Sequence, residues 1–197
     1  MRDTRIAPSG ADPTPEQMHR HLRSANAIAQ RALDAGHHPF GALLVGPDHE
    51  TVLIEQGNVD AVNHAEAVLA RTAARAHTPA ELWGCTLYTT VEPCCMCAGT
   101  QYWAHIGRLV YGMNERSLLA LTGNHAENPT MDLPCREVFA RGQKAIRVWG
   151  PAPEVEAEIA ALHAAFWQRD GLQRDGLQPS GLQRDALQSE APARGVR

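Results

Sequence analysis

Two short polar segments restrict the fold of this 197-residue chain more than any other feature. One is His-Ala-Glu at residues 64–66, and the other is Glu-Pro-Cys-Cys-Met-Cys at residues 92–97. The first opens an Ala-rich segment at 65–76 that is typical of a helix, and Pro93 is typical of the start of a second helix. A fold that joins the imidazole to the thiols must therefore bring the beginnings of two helices together.

The residue types in these segments indicate a metal centre. Cys94 and Cys97 are three residues apart and share one face of a helix, where the free N–H groups of its first turn stabilise thiolates. Two thiolates and the imidazole of His64 form a ligand set that selects zinc. Three protein ligands leave a fourth position open for water, as in catalytic zinc sites. Glu66 is close enough to exchange a proton with that water, so we expect it to be the catalytic residue.

Other interpretations of the same residues stay open at this point. A Cys-x-x-Cys pair is also typical of structural zinc half-sites and redox pairs, and Cys85 or Cys135 could close the site as a fourth ligand. Asn63 and Glu66 also fit an ordinary helix cap with its capping-box partner. Cys95 points away from the metal by helical geometry, and we expect it to be a small buried apolar side chain.

Alternating strand and helix patterns predict an α/β layered domain over residues 14–168. Residues 1–13 are rich in Pro, Gly, Ser and Asp and predict a flexible arm. Four tandem five-residue units at 171–190 indicate that 169–197 is a low-complexity, disordered tail. A capping box formed by Thr14 and Gln17 predicts the start of the first helix. Strands are predicted at 42–45, 51–54, 85–91, 108–111 and 145–149, and further helices at 65–76, 93–105, 134–141 and 154–167.

Composition limits the partners that we expect. The net charge is −4, so a basic surface that grips nucleic acid is unexpected. There is no run of 18 apolar residues and no apolar N-terminal stretch, so we expect neither a membrane span nor a secretory signal. Three of the five cysteines crowd into 94–97, which favours a metal or catalytic role in a reducing, cytoplasmic compartment.

Taken together, these motifs resemble those of the cytidine-deaminase-like zinc hydrolases, which remove the exocyclic amine of nucleobases and carry the pattern H-x-E…P-C-x-x-C. The resemblance covers about residues 16–168 and includes His-Pro-Phe-Gly-Ala at 38–42 and Gly-Asn at 57–58. It implies a three-layer α/β/α sandwich around a mixed five-stranded sheet. It also implies a dimer or tetramer with active sites near the interface, of which we expect the homodimer. It also implies that His64, Cys94 and Cys97 bind Zn²⁺ and that Glu66 is the proton shuttle.

Three further residues are candidates for substrate contact. Asn58 matches the asparagine that hydrogen-bonds the base in this family, although a Gly-Asn pair is also typical of turns. Phe40 is interpreted either as core or as pocket wall. Trp103 could stack on a planar base or pack against the sheet.

The stretch Tyr-Trp-Ala at 102–104 is similar to bacterial guanine deaminases, and guanine is therefore the predicted substrate. Cytosine and nucleoside deaminases use the same metal residues, and tRNA adenosine deaminases share Glu-Pro-Cys-x-Met-Cys. The net acidic stretch at 154–168 argues against a polynucleotide substrate, because the last helix of the tRNA enzymes is typically basic. An inactive zinc-binding subunit is the alternative outside the enzymes, and the presence of Glu66 argues against it.

Guanine deaminases of this family also use a second acid downstream of the cysteines. In a rough alignment its place falls near Ser117, and Glu115, Glu127 and Asp132 are the nearby acids. Residues 122–135 are predicted as a loop, which is interpreted either as a substrate-specific lid or as a polar surface loop.

Overall fold

The first helix begins at the capping box that the sequence predicts. The Thr14 hydroxyl accepts from the backbone N–H of Gln17, and the Gln17 side chain accepts from the backbone N–H of Thr14.

The protein is seen here as a computed structural model that describes residues 5–123, 128 and 130–170, without the side chains of 168–170. The described elements are α1 (Pro15–Asp34), β1 (Gly41–Val45), β2 (Val52–Gly57), α2 (Ala65–Ala76), α3 (Pro79–Gly84), β3 (Thr86–Val91), α4 (Cys95–Trp103), β4 (Arg108–Met113), α5 (Glu115–Thr122), α6 (Cys135–Ala140), β5 (Arg147–Trp149) and α7 (Pro153–Asp170).

The five strands form one mixed sheet in the order β2-β1-β3-β4-β5. β1 is antiparallel to β2 and β3, whereas β3, β4 and β5 run parallel. β1, β3 and β4 are buried along their whole lengths, which explains why their sequences are apolar or uncharged almost throughout. Two buried cores lie on opposite faces of the sheet, so the predicted three-layer α/β/α sandwich is confirmed.

Helices cover both faces of the sheet. α2, α4 and α6 pack through residues such as Leu69, Ala98 and Phe139 on one face. α1, α5 and α7 cover the other face. α1 approaches β1 so closely at Gly41 that a Cβ atom there would lie 2.3 Å from the carbonyl oxygen of Ala25.

The described part of the predicted arm lies against the domain instead of extending from it. Arg108, which is only 1% exposed, donates to the carbonyl oxygens of Ser9 and Ala11 at 2.7 and 3.1 Å. Its guanidinium also contacts the Asp12 carboxylate at 3.3 Å. Arg108 therefore holds residues 9–12 of this segment against the domain.

The sequence patterns do not predict two short helices, α3 and α5. α3 has six residues and α5 has eight, which is too short for an apolar stripe to show clearly. Both carry local caps, at Thr78 and at Asn114. Of the predicted loop at 122–135, residues 124–127 and 129 lie outside the described part. Most of the predicted tail also lies outside the described part of the chain, whose last residue is Asp170 in α7. No described helix is long and apolar enough to cross a bilayer.

Candidate metal centre and active site

The imidazole of His64 stands at the beginning of α2, where it is the N-cap residue without making a side-chain cap. Its Nε2 atom lies 3.1 Å from the carbonyl oxygen of Ala61. Donation of the Nε2 proton to that oxygen leaves Nδ1 as the free lone pair, which is how a second hydrogen bond orients a metal-binding histidine. Asn63 does not act as the N-cap, because its amide contacts the side chain of Asp60 instead.

The two cysteines come from the beginning of α4. Cys94 is its N-cap residue, and Cys97 is buried in the first turn. Nδ1 of His64 lies 3.7 Å from the Cys94 sulfur and 3.5 Å from the Cys97 sulfur. A tetrahedral zinc with Zn–N and Zn–S bonds of about 2.0 and 2.3 Å requires N–S separations of about 3.5 Å. Both nitrogen–sulfur separations therefore match those of a zinc site, and the three donor atoms lie within 4.8 Å of one another.

These three residues are the one group of metal-type ligands found among the described residues. Cys85 is buried elsewhere, with its thiol donating to the carbonyl oxygen of Glu81 at 3.4 Å. Cys135 is buried at the beginning of α6, beside Glu92. Neither cysteine belongs to the group, so a closed four-ligand site is not what the described residues form.

The hydrogen bond between Cys94 and Cys97 shifts the pKa values of the two thiols in opposite directions. A hydrogen bond from the Cys97 thiol, assisted by His64, lowers the pKa of Cys94 to about 4 although burial opposes the ionisation. The same bond, followed by burial, raises the pKa of Cys97. The hydrogen bond to Cys94 also raises the pKa of His64. A metal ion that binds both sulfurs must therefore displace the proton that they share.

The carboxyl group of Glu66 lies beside this group and is only 5% exposed. The Thr89 hydroxyl donates to Oε1 at 2.9 Å, and Oε2 lies 3.6 Å from the Cys97 sulfur. Burial raises the pKa of Glu66, because the surrounding core disfavours the charged form. This position does not fit the capping-box interpretation, in which Glu66 would point back to the helix start.

A cavity of about 280 Å³ opens onto His64 and Cys94. Asn58 and Phe40 both line it, as expected for substrate-contacting residues. The backbone N–H of Asn58 donates to the carbonyl oxygen of Phe40 at 2.9 Å, which brings the two side chains together. The other lining residues are His38, Ala61, Cys95, Met96, Glu115, Asn128, Thr130 and Met131.

Trp103 does not line this cavity. It is the last residue of α4, and nine residues of helix carry it about 13 Å along the axis from Cys94. Its side chain is 77% exposed and stands edge-on to the ring of Tyr102. The expected stacking on a substrate is therefore not supported within this chain, because the helix carries the indole away from the cysteines.

Cys95 is half-buried at the cavity wall, with its sulfur 3.4 Å from the Met131 sulfur. The expectation that it is a buried apolar residue is wrong, because the first turn of α4 faces the cavity.

The three acids that follow the cysteines differ in where they lie relative to the cavity. Glu115 lines the cavity, and burial, followed by the negative charge of Cys94, raises its pKa to about 7. Asp132 faces away, paired at 2.8 Å with exposed Arg116. Glu127 lies outside the described residues, and Ser117 does not line the cavity. The cap at Asn114 is the sequence signal that could have placed Glu115 at the start of a helix.

Comparisons with known proteins agree with this geometry. Residues 15–113 match the family model described as the cytidine and deoxycytidylate deaminase zinc-binding region. The chain is 35% identical over 151 residues to a probable cytosine deaminase of Schizosaccharomyces pombe, covering 75% of this chain and 90% of that protein. It is 37% identical over 95 residues to a guanine deaminase of Bacillus subtilis, covering 46% and 60% respectively.

A solved structure from a study of A-to-I editing by tRNA:A34 deaminases superposes with a TM-score of 0.55 and 27% identity. The alignment covers 73% of this chain and 99% of that one. The His64, Cys94 and Cys97 group supplies the donor types and distances that Zn²⁺ requires. The chain therefore belongs to the family of zinc-binding cytidine and deoxycytidylate deaminases, and it is a hydrolytic deaminase.

Proposed function

We propose that this protein hydrolyses the exocyclic amine of a free nucleobase, so that the base and water become the oxo base and ammonia. The observation that carries the proposal is the juxtaposition of Glu66 with the three metal-type ligands, two of which, His64 and Cys94, line a small cavity. A volume of about 280 Å³ lies just below the range of about 300–1,000 Å³ for small-molecule sites, which suits a ligand the size of a single base.

His64, Cys94 and Cys97 would hold Zn²⁺, which when bound supplies the Lewis acidity that makes water nucleophilic at neutral pH. Glu66 takes a proton from the attacking water and delivers it to the ring nitrogen. It then takes the remaining proton of the added hydroxyl group and passes it to the amine, which leaves as ammonia. Burial raises the pKa of Glu66, which makes its carboxylate a stronger base than that of an exposed glutamate. Thr89 holds the carboxyl group in place during both transfers.

Asn58 and Phe40 have separate roles in binding. The Asn58 side chain is 4% exposed, and its Nδ2 atom donates to the carbonyl oxygen of Asp60 at 3.2 Å. That bond holds the amide in one orientation, so that it can recognise the edge of a base. Phe40 supplies a flat apolar surface for the ring, and its own ring is supported by His163 at a centroid distance of 4.9 Å.

Guanine is the base that we propose first. Glu115 places a carboxyl group in the cavity, where it supplies the second acid that guanine deaminases of this family use. Cytosine is the second candidate, because the relative that matches over 90% of its own length is a probable cytosine deaminase. We further propose that the protein is a cytoplasmic homodimer.

The test measures ammonia release by the zinc-loaded protein from guanine, adenine, cytosine, guanosine, adenosine and cytidine. We expect turnover of guanine, and a fall in kcat of at least about 100-fold in Glu66→Ala. Glu137→Ala is the matched control, because it removes an exposed carboxyl group from α6.

Turnover of cytosine alone would replace guanine with the second candidate. Turnover only of a nucleoside would overturn the assignment to free bases. No turnover of any of the six would overturn the proposal, and an RNA anticodon stem-loop would then be the next substrate to test.

A further inference from the structure

Glu92 is a buried acid that the proposed chemistry does not use. It follows β3 directly and is separated from Cys94 only by Pro93. Its side chain is 7% exposed, and its backbone N–H donates to the carbonyl oxygen of Met113 at 2.8 Å, which extends the pairing of β3 with β4. The backbone of Glu92 is therefore held on the same rigid edge of the sheet from which α4 and its cysteines begin.

The carboxylate of Glu92 binds the beginnings of two other helices. Oε1 accepts from the backbone N–H of Cys135 at 3.0 Å, and Oε2 accepts from the backbone N–H of Glu115 at 3.4 Å. These are the first residues of α6 and α5. A carboxylate suits both positions because the first N–H groups of a helix lack partners within the helix.

Local capping does not serve these two N–H groups. The N-cap residue of α6 is Pro134, which offers no side-chain acceptor, and the Cys135 side chain is fully buried. The N-cap residue of α5 is Asn114, whose side chain accepts from the backbone N–H of Ser117 and not from that of Glu115. A distant acid thus supplies the acceptor for the first N–H group of each helix, which the N-cap side chains do not provide.

Described residues at and between these two attachment points form part of the cavity wall. Glu115, Thr130 and Met131 all line the cavity that opens onto His64 and Cys94. We propose that Glu92 is a positioning residue for substrate binding: its carboxylate fastens the beginnings of α5 and α6 to the loop that carries the metal-binding cysteines. This inference extends the proposed function, because it names the residue that holds the wall of the same site.

The test compares Glu92→Ala and Glu92→Gln with the unchanged zinc-loaded protein, using NMR hydrogen exchange of individual backbone amides. In Glu92→Ala, we expect the amides of Glu115 and Cys135 to exchange at least about tenfold faster, because each loses its acceptor. In Glu92→Gln, only one of the two should exchange faster, because the amide group keeps one acceptor oxygen and turns its NH₂ toward the other N–H. Glu137→Ala should change neither.

A second measurement separates positioning from general stability. For the base that is turned over, we expect Glu92→Ala to raise KM about tenfold while zinc content and kcat change less than about threefold. Unchanged exchange at both amides in a folded, zinc-loaded Glu92→Ala would overturn the proposal, and so would faster exchange with an unchanged KM. If Glu92→Ala does not fold, the one-sided exchange in Glu92→Gln decides. The exchange measurement needs no turnover, so its result is independent of a failure of the proposed function.

Discussion

The hydroxyl of Thr89 donates a 2.9 Å hydrogen bond to Oε1 of Glu66, which joins β3 to the first turn of α2. β3 lies in the middle of the sheet and is buried throughout. The carboxyl group is thus held from the sheet side while its other oxygen faces the Cys97 sulfur. The rigid centre of the fold orients the group that we assign to proton transfer.

Replacing Thr89 by Val removes this hydroxyl and keeps the side-chain shape. We expect kcat to fall about tenfold or more, because a 1.4 kcal/mol loss of orientation corresponds to a factor of ten. Zinc content should not change. Thr86→Val is the matched control, because Thr86 is buried on the same strand and its hydroxyl has no hydrogen-bond partner among the described residues. Equal losses of kcat in the two variants would contradict the assigned role.

Zinc binding should distinguish neighbouring cysteines. We expect Cys97→Ser to lose zinc during dialysis, because a serine hydroxyl is a far weaker ligand than a thiolate. Cys95→Ser should keep its zinc, since the Cys95 sulfur faces Met131 and not His64. Metal analysis of both purified proteins measures this difference. Loss of zinc from Cys95→Ser with retention in Cys97→Ser would show that the ligand assignment is wrong.

The two aromatic candidates should also differ. Phe40→Ala removes a wall of the cavity, and we expect KM for the base to rise about tenfold, in line with the ~1–3 kcal/mol lost per stacked base when an aromatic partner is truncated. Trp103→Ala changes an exposed side chain, and KM should stay within about twofold. Steady-state kinetics with the base that is turned over measures both values. A rise in KM with Trp103→Ala would show that the indole contributes to substrate binding.

The attachment of the N-terminal segment should depend on pH through Asp12. Burial by itself raises the pKa of this carboxyl group. Hydrogen bonds from Arg147 and Arg108 outweigh burial and bring the pKa below its ordinary value of 3.8. Because the pKa is lower in the folded state, the carboxylate stabilises the fold above about pH 4, and this contribution is lost as the pH falls through the folded-state pKa. The side chain is 42% exposed, so we expect a contribution of only about 1 kcal/mol.

The measurement is the free energy of urea unfolding for Asp12→Asn and the unchanged protein between pH 7 and pH 3. The difference should be largest at pH 7 and should shrink below about pH 4. Asp34→Asn removes an exposed acid and should show no such trend. A difference that grows as the pH falls would contradict the ion-pair explanation.

Local rules were sufficient for much of the fold and for the metal-type ligands. A capping box, a proline at a helix start and a three-residue spacing act through hydrogen bonds and geometry within one turn, so the sequence alone determined where α1 begins and that Cys94 and Cys97 share a face. The alternation of apolar strands with helices determined the layered α/β class. His64 and Glu66 became candidates because His-Ala-Glu precedes Glu-Pro-Cys-x-x-Cys by about 30 residues, with both segments at helix starts.

Only the tertiary structure decided which distant residues meet. Glu115 enters the cavity and Trp103 leaves it because strand order and helix length set their positions. Arg108 holds the N-terminal segment, although their attraction acts across about a hundred residues of chain and leaves no local pattern. Glu92 shows the same limit, because its carboxylate accepts from the first N–H groups of two helices that begin 23 and 43 residues further along the chain. Contacts of this kind depend on packing, which no short window of sequence contains.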